Sequence, residues 1–374
     1  MAAIQQLLDI PLLWEKLEHK TEQMLTLIGG KSPHVAKDSG KYDDQRLDWW
    51  TSGFWPGILW IMHDMTGRAA YREAAWNWDE RLERLTLAPN SFDHDVGFQF
   101  LPTAVIKHTL TGDPDALRRG LSAADFLAGR YNLNGRFIRA WNGDKTGWSI
   151  IDTSMNLSLL FWASRQTGDP RYAHIAQAHA ETVLKHFIRE DGSVKHIVSF
   201  DPHSGEVLEV LGGQGHAPDS GWSRGTAWAL YGMANTYRHT GDKTFLHAAQ
   251  RVAHFFLAHL PEDHVAHWDF RAGSSLDGEP RDTSAAACAA SGLLELAESL
   301  SAVDGRIYRE SAERILKSLY EHYGTWEDAE HEAILLHGTG HKPAGDNVDV
   351  SLIYGDYFFV ESIARLAGWE HRIF

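Results

Sequence analysis

Two aspartates in this sequence lie where an apolar segment begins, in surroundings that change the chemistry of a carboxyl group. Asp152 follows two isoleucines in SIIDTSMNLSLLFW, and Asp95 lies close to His94 and Gly97 in FDHDVGF. An apolar setting raises the pKa of a carboxyl, which is what a general acid needs at neutral pH. Two carboxylates that face one site are also the minimum equipment for glycosidic chemistry.

A structural explanation competes for each aspartate of this kind. Asp is a favoured N-cap residue because its carboxylate accepts backbone N–H bonds at the positive end of a helix, a contribution of about 0.5–2 kcal/mol. For Asp282 in RDTS and Asp349 in VDVS, capping is the prediction. For Asp95 and Asp152, capping and catalysis both stay open.

Further polar and aromatic candidates follow later in the chain. His196 lies in VKHIVSF, Gln214 in a glycine-rich stretch, and Arg224 and Trp228 in WSRGTAW. A cation at a helix N-terminus is electrostatically disfavoured, so Arg224 indicates an anion nearby. That anion is either Asp219 or a carboxylate of a substrate, and the sequence leaves both open.

The histidines and the cysteine predict no metal centre. The 22 histidines form no coherent ligand set, and HEAILLH has the wrong spacing for a zincin. The single cysteine, Cys288, excludes an intramolecular disulfide and a thiolate zinc site, and it fits a reducing, cytoplasmic compartment.

Composition narrows the class of partner. A formal net charge of -15 argues against a nucleic-acid partner, which needs clustered Lys and Arg. No uncharged apolar run reaches the ~18 residues of a membrane span, and the N-terminal segment lacks the basic region of a signal peptide. The 15 tryptophans suit a sugar-stacking cleft and, nearly as well, a helical core.

A recurring turn shows which elements must position these residues. Five copies end one helical pattern at a glycine and open the next with a polar pair: MTGRAAY (65–71), LTGDPDAL (110–117), QTGDPRY (166–172), HTGDKTF (239–245) and the degenerate VDGRIY (303–308). Glycine adopts the left-handed conformation that closes a helix, and Asp-Pro opens the following one. Each copy therefore predicts the turn of a helical hairpin.

Six segments with polar or aromatic starts and apolar bodies predict the inner helices. They are LDWWTSGFWPGILW, FDHDVGFQFLPTAV, SIIDTSMNLSLLFW, DSGWSRGTAWALYG, RDTSAAACAASGLLEL and VDVSLIYGDYFFVES. Six hairpins predict an all-α fold, an (α/α)6 barrel or six-hairpin toroid formed by a single domain over residues 1–374, with an open solenoid as the alternative. Short β segments are expected at 135–141, 193–207 and 264–270, at the rim where the inner helices begin. The candidate residues would converge at that rim.

Taken together, the motifs resemble the unsaturated glucuronyl hydrolases of glycoside hydrolase family 88. The resemblance covers nearly the whole chain and rests on DWWTSGFWPGILW, HDVGF, IIDTSMNL, SFDP, WSRGTAWALYG, VAHWDF, RDTSA and IYGDYFFVES. It implies that Asp152 is the general acid/base and Asp95 the second essential carboxylate. It also implies that the substrate is contacted by Trp50, His94, Trp141, His196, Gln214, Arg224 and Trp228.

One segment departs from some members of that family. In those members a lysine flanked by serines recognises sulfate on the second sugar. Lys342 matches the lysine, but His337 and Gly340 stand near the serine positions. The resemblance therefore leaves the preference for sulfated substrates open.

The resemblance also implies a particular reaction on a lyase-generated di- or oligosaccharide. Protonation of C4 of a Δ4,5-unsaturated uronic acid lets water add at C5, and the hemiketal then opens and releases the second sugar. Asp95 is expected to be ionised and to raise the pKa of Asp152 by like-charge proximity. Trp50, Trp141 and Trp228 are expected to stack on the unsaturated ring, and Arg224 or His196 to help hold the anion. No metal or organic cofactor is needed.

Two other functions stay open from the residues alone. A sugar 2-epimerase on the same barrel would use His196 and a second histidine at the rim and would make Asp152 dispensable. A non-catalytic carbohydrate-binding protein would use the tryptophans only. The sequence leaves the preferred disaccharide and the choice between monomer and homodimer open.

Overall fold

The computed structural model describes residues 7–86, 88 and 90–374. Helices of its inner layer are α2 (Phe54–Thr66), α5 (Val96–Phe100) continued by a π-helical turn (Leu101–Val105) into α6 (Ile106–Thr111), α8 (Thr153–Thr167), α10 (Ser223–Thr240), α12 (Thr283–Glu298) and α14 (Ile353–Leu366). Helices of its outer layer are α1 (Ile10–Ile28), α3 (Ala69–Ala75), α4 (Trp78–Glu83), α7 (Pro114–Ala128), α9 (Pro170–His186), α11 (Lys243–Ala258) and α13 (Arg306–His322).

The two layers differ in how much of each helix is buried. Helix α12 is buried without interruption from Thr283 to Ala297, as expected for a helix that is apolar or small on every face. Helix α13 buries a single stripe that includes Tyr308, Ile315 and Leu319. The hydrophobic pattern therefore sorts the helices into a largely buried inner ring and an amphipathic outer ring.

The inner ring is closed. Helix α2 packs on the π-helical turn, α5 on α8, α8 on α10, α10 on α12, α12 on α14, and α14 returns to α2. Each hairpin also packs within itself, as α8 does on α9 and α10 on α11. The (α/α)6 barrel is therefore confirmed, and the open solenoid is wrong.

Four of the five predicted turns close a helix in the expected way. Gly67, Gly112, Gly168 and Gly241 have φ between 70° and 71°, and each N–H donates to a carbonyl four residues earlier. The fifth prediction is wrong in detail. Gly305 has φ −76° and precedes α13 as its N-cap residue, so VDGRIY opens a helix and does not close one.

Short strands lie in the loops that lead into the inner helices. They are β1 (Val35–Ala36), β2 (Tyr131–Asn132), β3 (Phe137–Ile138), β4 (Trp148–Ile150), β5 (Ile197–Phe200), β6 (Val207–Leu211) and β7 (Ser351–Leu352). All pairs are antiparallel, with β4, β5 and β6 forming one sheet and β1 pairing with β7 across the chain. Residues 264–270 form only isolated bridges and no strand.

The barrel centre is filled by aromatic rings below the rim. Phe374 is fully buried and packs against Phe98, Tyr357 and Phe358, with ring centroids 5.6–5.7 Å apart. Phe98 in turn contacts Trp228 at 5.1 Å. The open end of the barrel is therefore the strand-bearing rim, and the other end is packed.

Among the described helices, none is long and apolar enough to span a bilayer.

Candidate active site

Asp152 stands at the mouth of α8 without capping it. Strand β4 delivers Ile151 to the rim, where its N–H donates to the carbonyl of His196 at 3.0 Å. Asp152 then occupies the N-cap position with helical φ and ψ of −56° and −31°, and within the described chain its side chain accepts no capping bond. Its Oδ2 is buried and has no hydrogen-bond partner among the described residues. Capping therefore does not explain this carboxyl.

Burial gives Asp152 the proton affinity of a neutral-pH acid. Loss of solvation raises its pKa to about 7, while the positive charge of Arg224 pulls in the opposite direction. The negative charge of the neighbouring Asp93 raises the pKa of Asp152 by a smaller amount. A carboxyl that is half protonated near neutrality can both give and take a proton there.

Asp95 occupies the equivalent position on α5 and caps nothing either. Asn156 donates from Nδ2 to its Oδ1 at 3.3 Å, and Nδ1 of His94 lies 3.5 Å from the same oxygen. Burial and the charges of Asp93 and Asp152 raise the pKa of Asp95 well above its usual range. Burial is the largest cause of the raised pKa of both carboxyls, so the expected rise of the Asp152 pKa through the charge of Asp95 is corrected, whereas the ionised state expected of Asp95 stays a prediction.

The two aspartates that were expected to cap behave differently from each other. Asp282 accepts N–H bonds from Ser284 and Ala285 through Oδ1, which confirms it as the N-cap of α12. Asp349 does not cap α14, which begins at Ile353. It adopts a left-handed φ of 58° and pairs with Nδ1 of His337 at 2.6 Å.

His196 faces the unpaired oxygen of Asp152. Its Nε2 lies 3.8 Å from Oδ2, and its ring packs on Trp222 with centroids 4.3 Å apart. Nδ1 receives the N–H of Gln214 at 2.9 Å and lies 3.2 Å from the carbonyl of Gly212. The backbone N–H is closer and can only donate, so it makes Nδ1 the acceptor and puts the ring proton on Nε2. Burial lowers the pKa of His196 to about 3, which keeps the ring neutral.

The anion that faces Arg224 is Asp282. Arg224 is almost fully buried in the first turn of α10, and its Nη1 donates to Oδ2 of Asp282 at 2.8 Å. Asp219 is exposed and makes no such pair, so that alternative is wrong. Nη2 donates to Oε1 of Gln214 at 2.8 Å and to the carbonyl of Gly340 at 2.7 Å. Arg224 thus fixes Gln214, the residue whose N–H sets the tautomer of His196.

The three candidate tryptophans have different exposure. Trp50 is half-buried beside Tyr354, with centroids 4.8 Å apart, and Trp141 is half-buried against Trp148 at 5.8 Å. Trp228 is only 1% exposed and lies among Phe98 and other aromatic rings. The expected stacking of a sugar on Trp228 is therefore corrected, because its ring forms part of the floor and has no open face.

His94 is buried behind the carboxyls. Its ring Nδ1 lies 2.9 Å from Oγ1 of Thr153. Its backbone N–H donates to the carbonyl of Ala140, the residue before Trp141. Its Nε2, like Nε1 of Trp228, is buried without a hydrogen-bond partner in the described part of the chain. Unpaired buried polar atoms cost free energy, and native proteins keep them mainly where a ligand or water completes them.

Lys342 lies on a short 3₁₀ turn (Lys342–Ala344) and is not a free cation. Oε2 of Glu279 is 3.5 Å from its Nζ and also accepts from Nε1 of Trp268 at 2.7 Å. The two residues near the family's serine positions are engaged as well, His337 with Asp349 and Gly340 with Arg224.

One cluster has metal-binding proximity that the sequence analysis did not anticipate. Donor atoms of Asp93, His94 and Asp95 lie within 4.8 Å of one another. Asp93 already accepts the N–H of Asp95 at 2.9 Å, and Nδ1 of His94 is bonded to Thr153. Oδ1 of Asp95 accepts from Asn156, so all three groups have partners, and we assign no metal to the cluster.

Sequence reasoning missed Asn156 and Thr153. Both follow Asp152 on α8, and Asn156 lies four residues further along, on the same helix face. That spacing was the available signal. It does not show which side chain of a neighbouring helix is touched.

Comparison with known proteins agrees with this architecture. The family model described as Glycosyl Hydrolase Family 88 matches residues 28–374. The unsaturated glucuronyl hydrolase of Bacillus sp. (strain GL1) is 38% identical over 359 residues, covering 92% of this chain and 93% of that protein. The unsaturated chondroitin disaccharide hydrolase of Streptococcus pneumoniae (strain ATCC BAA-255 / R6) is 34% identical over 375 residues, covering 96% of this chain and 94% of that protein.

A solved structure has the same fold. The crystal structure of unsaturated glucuronyl hydrolase from Bacillus sp. GL1 superposes with a TM-score of 0.91 at 35% identity, over 96% of this chain and 97% of that one. Sequence family, barrel and the rim that bears the carboxyls thus agree over almost the full length, and the chain belongs to glycoside hydrolase family 88.

Proposed function

We propose that this chain hydrolyses short oligosaccharides that carry a Δ4,5-unsaturated uronic acid at the non-reducing end, with residues 1–374 acting as one catalytic domain. The observation that carries the proposal is the carboxyl of Asp152, which lies at a helix mouth without capping it and whose buried Oδ2 is unpaired within the described residues. Its pKa is raised to about 7. The relatives named above, which act on unsaturated sugars, support the same substrate class.

The proposed reaction needs one acid that can become a base. Protonated Asp152 gives its proton to C4, and the C4=C5 electrons form the new C–H bond. C5 becomes an oxocarbenium-like centre that shares charge with the ring oxygen. Water then adds at C5 and loses its proton to the Asp152 carboxylate. The hemiketal opens as the C5–O5 bond breaks, which leaves a ketone at C5 and a hydroxyl group on C1. This C1 hemiacetal then breaks its bond to the second sugar, which leaves as an alcohol while C1 becomes an aldehyde.

Asp95 is proposed as the second essential carboxyl of a pair that shares its protons. Like charges in a buried site cannot both ionise easily, so the pair titrates as a unit. Burial raises the pKa of both groups. Hydrogen bonds from Asn156 and from sugar hydroxyls favour the ionised form of Asp95 while Asp152 keeps its proton.

The surrounding residues are proposed to bind the sugar and to set the field. Trp50 and Trp141 are half-buried and offer ring surface for stacking, whereas Trp228 forms the floor. The Nε2–H of His196 is available for a hydrogen bond with the ligand, whereas His94 is fully buried and contacts Thr153 and Asp95. The positive charge of Arg224 offsets part of the overall net charge of -15 that an anionic substrate must approach.

An epimerase-type proton shuttle has less support. Burial lowers the pKa of His196 to about 3 and that of His94 well below its usual range. Such rings hold a proton poorly, whereas the raised pKa of Asp152 suits proton transfer to carbon.

We also propose a cytoplasmic location, with which the buried, unpaired thiol of Cys288 accords. A monomer or homodimer stays the expectation.

The test uses the substrate's own chromophore. The wild type is incubated with lyase-generated disaccharides, and the ultraviolet absorbance of the conjugated double bond is followed. We expect the absorbance to disappear with the wild type and Asp152→Asn to slow its loss by roughly 10²–10⁴-fold, because an amide cannot deliver the proton. Asp349→Asn, the same change at an exposed rim aspartate, is the control and should keep full activity.

Three outcomes separate the hypotheses. Absorbance that persists with every unsaturated uronide tried contradicts the proposal. Binding of the disaccharides without turnover by the wild type favours a carbohydrate-binding protein. Interconversion of free amino sugars, unaffected by Asp152→Asn, favours the epimerase.

A further inference from the structure

Asn156 is buried between the two helices that carry the carboxyls. It lies one turn into α8, and its side chain is fully shielded from solvent. Oδ1 accepts the N–H of Phe98 on α5 at 2.7 Å. Nδ2 donates to Oδ1 of Asp95 at 3.3 Å and lies 3.4 Å from the carbonyl oxygen of Asp152.

The orientation of this amide is determined by its neighbours. The N–H of Phe98 can only donate, so it selects Oδ1 of Asn156 as its acceptor. The NH₂ group must then point the other way, toward Oδ1 of Asp95 and the carbonyl oxygen of Asp152. The carbonyl oxygen can only accept a hydrogen bond, and so can the carboxylate of Asp95 when it is ionised. The amide therefore links the side chain of Asp95 to the backbone of α5 and to the backbone at the start of α8.

Gly97 permits this close approach. A Cβ at that position would lie 2.3 Å from Oδ1 of Asn156 and 2.8 Å from its Cα. Any larger residue would push the first turn of α5 away from α8. The glycine next to the carboxyl pair is thus a packing requirement of the amide bridge.

We propose that Asn156 is a positioning residue for the reaction: it holds the Asp95 carboxyl at a set place relative to Asp152 and stabilises its ionised form. This inference rests on the proposed function, since it assigns a role within the same carboxyl pair. Asn156 acts through Asp95 and does not need to touch the substrate.

Charged and titratable groups surround Asp95 on several elements. Asp93 and His94 flank it on its own segment, Asp152 faces it from α8, and Arg130 acts from the loop after α7. The two aspartates raise the pKa of Asp95, whereas Arg130 and the Asn156 bond lower it. Removal of the bond should therefore move the titration of the pair to higher pH.

The experiment is the pH dependence of kcat/KM for Asn156→Asp. This change keeps an acceptor for Phe98, removes both N–H donors and adds a negative charge. We expect the whole profile to shift to higher pH and kcat/KM on the acidic side to fall about tenfold, mainly through kcat, as loss of a hydrogen bond to a charged group predicts. Gly97→Ala should shift the profile in the same direction.

The control is Asn235→Asp. Asn235 is also a buried asparagine on an inner helix, but it lies near Arg238 at the far end of α10. It should change stability without moving the pH profile. If Asn156→Asp keeps the wild-type profile, or loses activity only in proportion to folded protein, the proposal is wrong.

A second measurement keeps the inference testable without turnover. The ¹³C carboxyl resonance of Asp95, assigned with Asp95→Asn, is titrated in the wild type and in Asn156→Ala, which adds no charge. A higher pKa of Asp95 in Asn156→Ala supports the positioning role, and an unchanged value overturns it. Failure of the wild type to consume any unsaturated uronide contradicts the proposed function alone.

Discussion

At the scale of single residues, helix-starting aspartates in this chain have two fates. Oδ1 of Asp282 accepts hydrogen bonds from backbone N–H groups, and its Oδ2 accepts one from Arg224. Asp152 stands at the same kind of position with neither kind of bond to its buried Oδ2 in the described structure. The same residue type is a structural cap where its lone pairs are used and a candidate acid where burial leaves them unused.

The raised pKa of Asp152 predicts how activity and stability depend on pH. We expect kcat/KM to fall as pH rises through about 7, because the acid that must deliver the proton is lost there. The folded chain also holds protons on Asp152 that the unfolded chain releases near its ordinary pKa of about 4. The contribution of Asp152 to the free energy of unfolding is therefore full below about pH 4 and is lost as pH rises to about 7.

Denaturant titrations across this pH range check the stability prediction. Asp95 contributes in the same direction, since its pKa is raised as well. The free energy of unfolding of Asp152→Asn minus that of the wild type should rise between about pH 4 and 7, because one of the buried proton-binding groups is gone. A difference that stays constant across this range would count against burial as the cause of the raised pKa.

At the scale of elements, the left-handed glycines explain how the hairpins turn. Gly112 has φ 71° and a Cβ there would meet open space, so the conformation alone penalises a side chain. We expect Gly112→Ala to lower the free energy of unfolding by about 1–2 kcal/mol with unchanged kcat/KM. Gly129 ends α7 with φ −63° and is the control, since alanine adopts that conformation freely. Equal losses for both variants would contradict the conformational explanation.

The loop that carries Lys342 predicts a change in substrate preference. Glu279 holds Lys342 at 3.5 Å, so sulfate on the second sugar would have to displace that carboxylate. Glu279→Gln should raise kcat/KM for sulfated relative to unsulfated disaccharides by up to roughly fivefold, the range of a partly exposed ion pair. A kinetic panel of matched disaccharides measures the ratio. Lys342→Gln in the same background should abolish the gain, and a gain that survives would exclude Lys342 as its source.

At the scale of the whole molecule, the closed ring brings distant segments to one rim and packs its centre with aromatic side chains. The floor runs from Phe374 through Phe98 to Trp228, and Phe98 also contacts the half-buried Trp50. Charged groups are also paired at the packed end, where Arg365 donates to Glu295 and Glu298. The rim is thus supported from below by side chains that no single hairpin supplies.

Phe374 tests how much this floor contributes. Phe374→Ala should lower the free energy of unfolding by about 3–5 kcal/mol, because it leaves a cavity among Phe98, Tyr357 and Phe358. Chemical denaturation measures the loss. Phe126→Ala, which truncates a ring that is 38% exposed, should cost clearly less. Similar losses for the two variants would mean that the barrel centre collapses around the missing ring.

Local sequence determined most of the fold. Helical periodicity, Thr-Gly turns and Asp caps act within a few residues, so the six-hairpin arrangement and the positions of Asp95 and Asp152 at helix mouths were predictable. The strands at 264–270 and the turn at Gly305 were predicted wrongly. Hydrogen bonds with other segments, such as that from the N–H of Phe270 to the carbonyl of Gly221, determine the conformation of 264–270, whereas the N–H of Gly305 donates locally to the carbonyl of Ser301.

Tertiary structure alone decided which groups meet. Arg224 pairs with Asp282 across 58 residues and not with the nearby Asp219, and Glu279 pairs with Lys342 from another loop. Burial of Trp228 and the bridge from Asn156 to Asp95 likewise arise where separate hairpins pack. Residue types and spacing set the chemistry that is possible. Desolvation and partner choice, which fix the pKa of each carboxyl, depend on contacts between segments that the linear pattern does not encode locally.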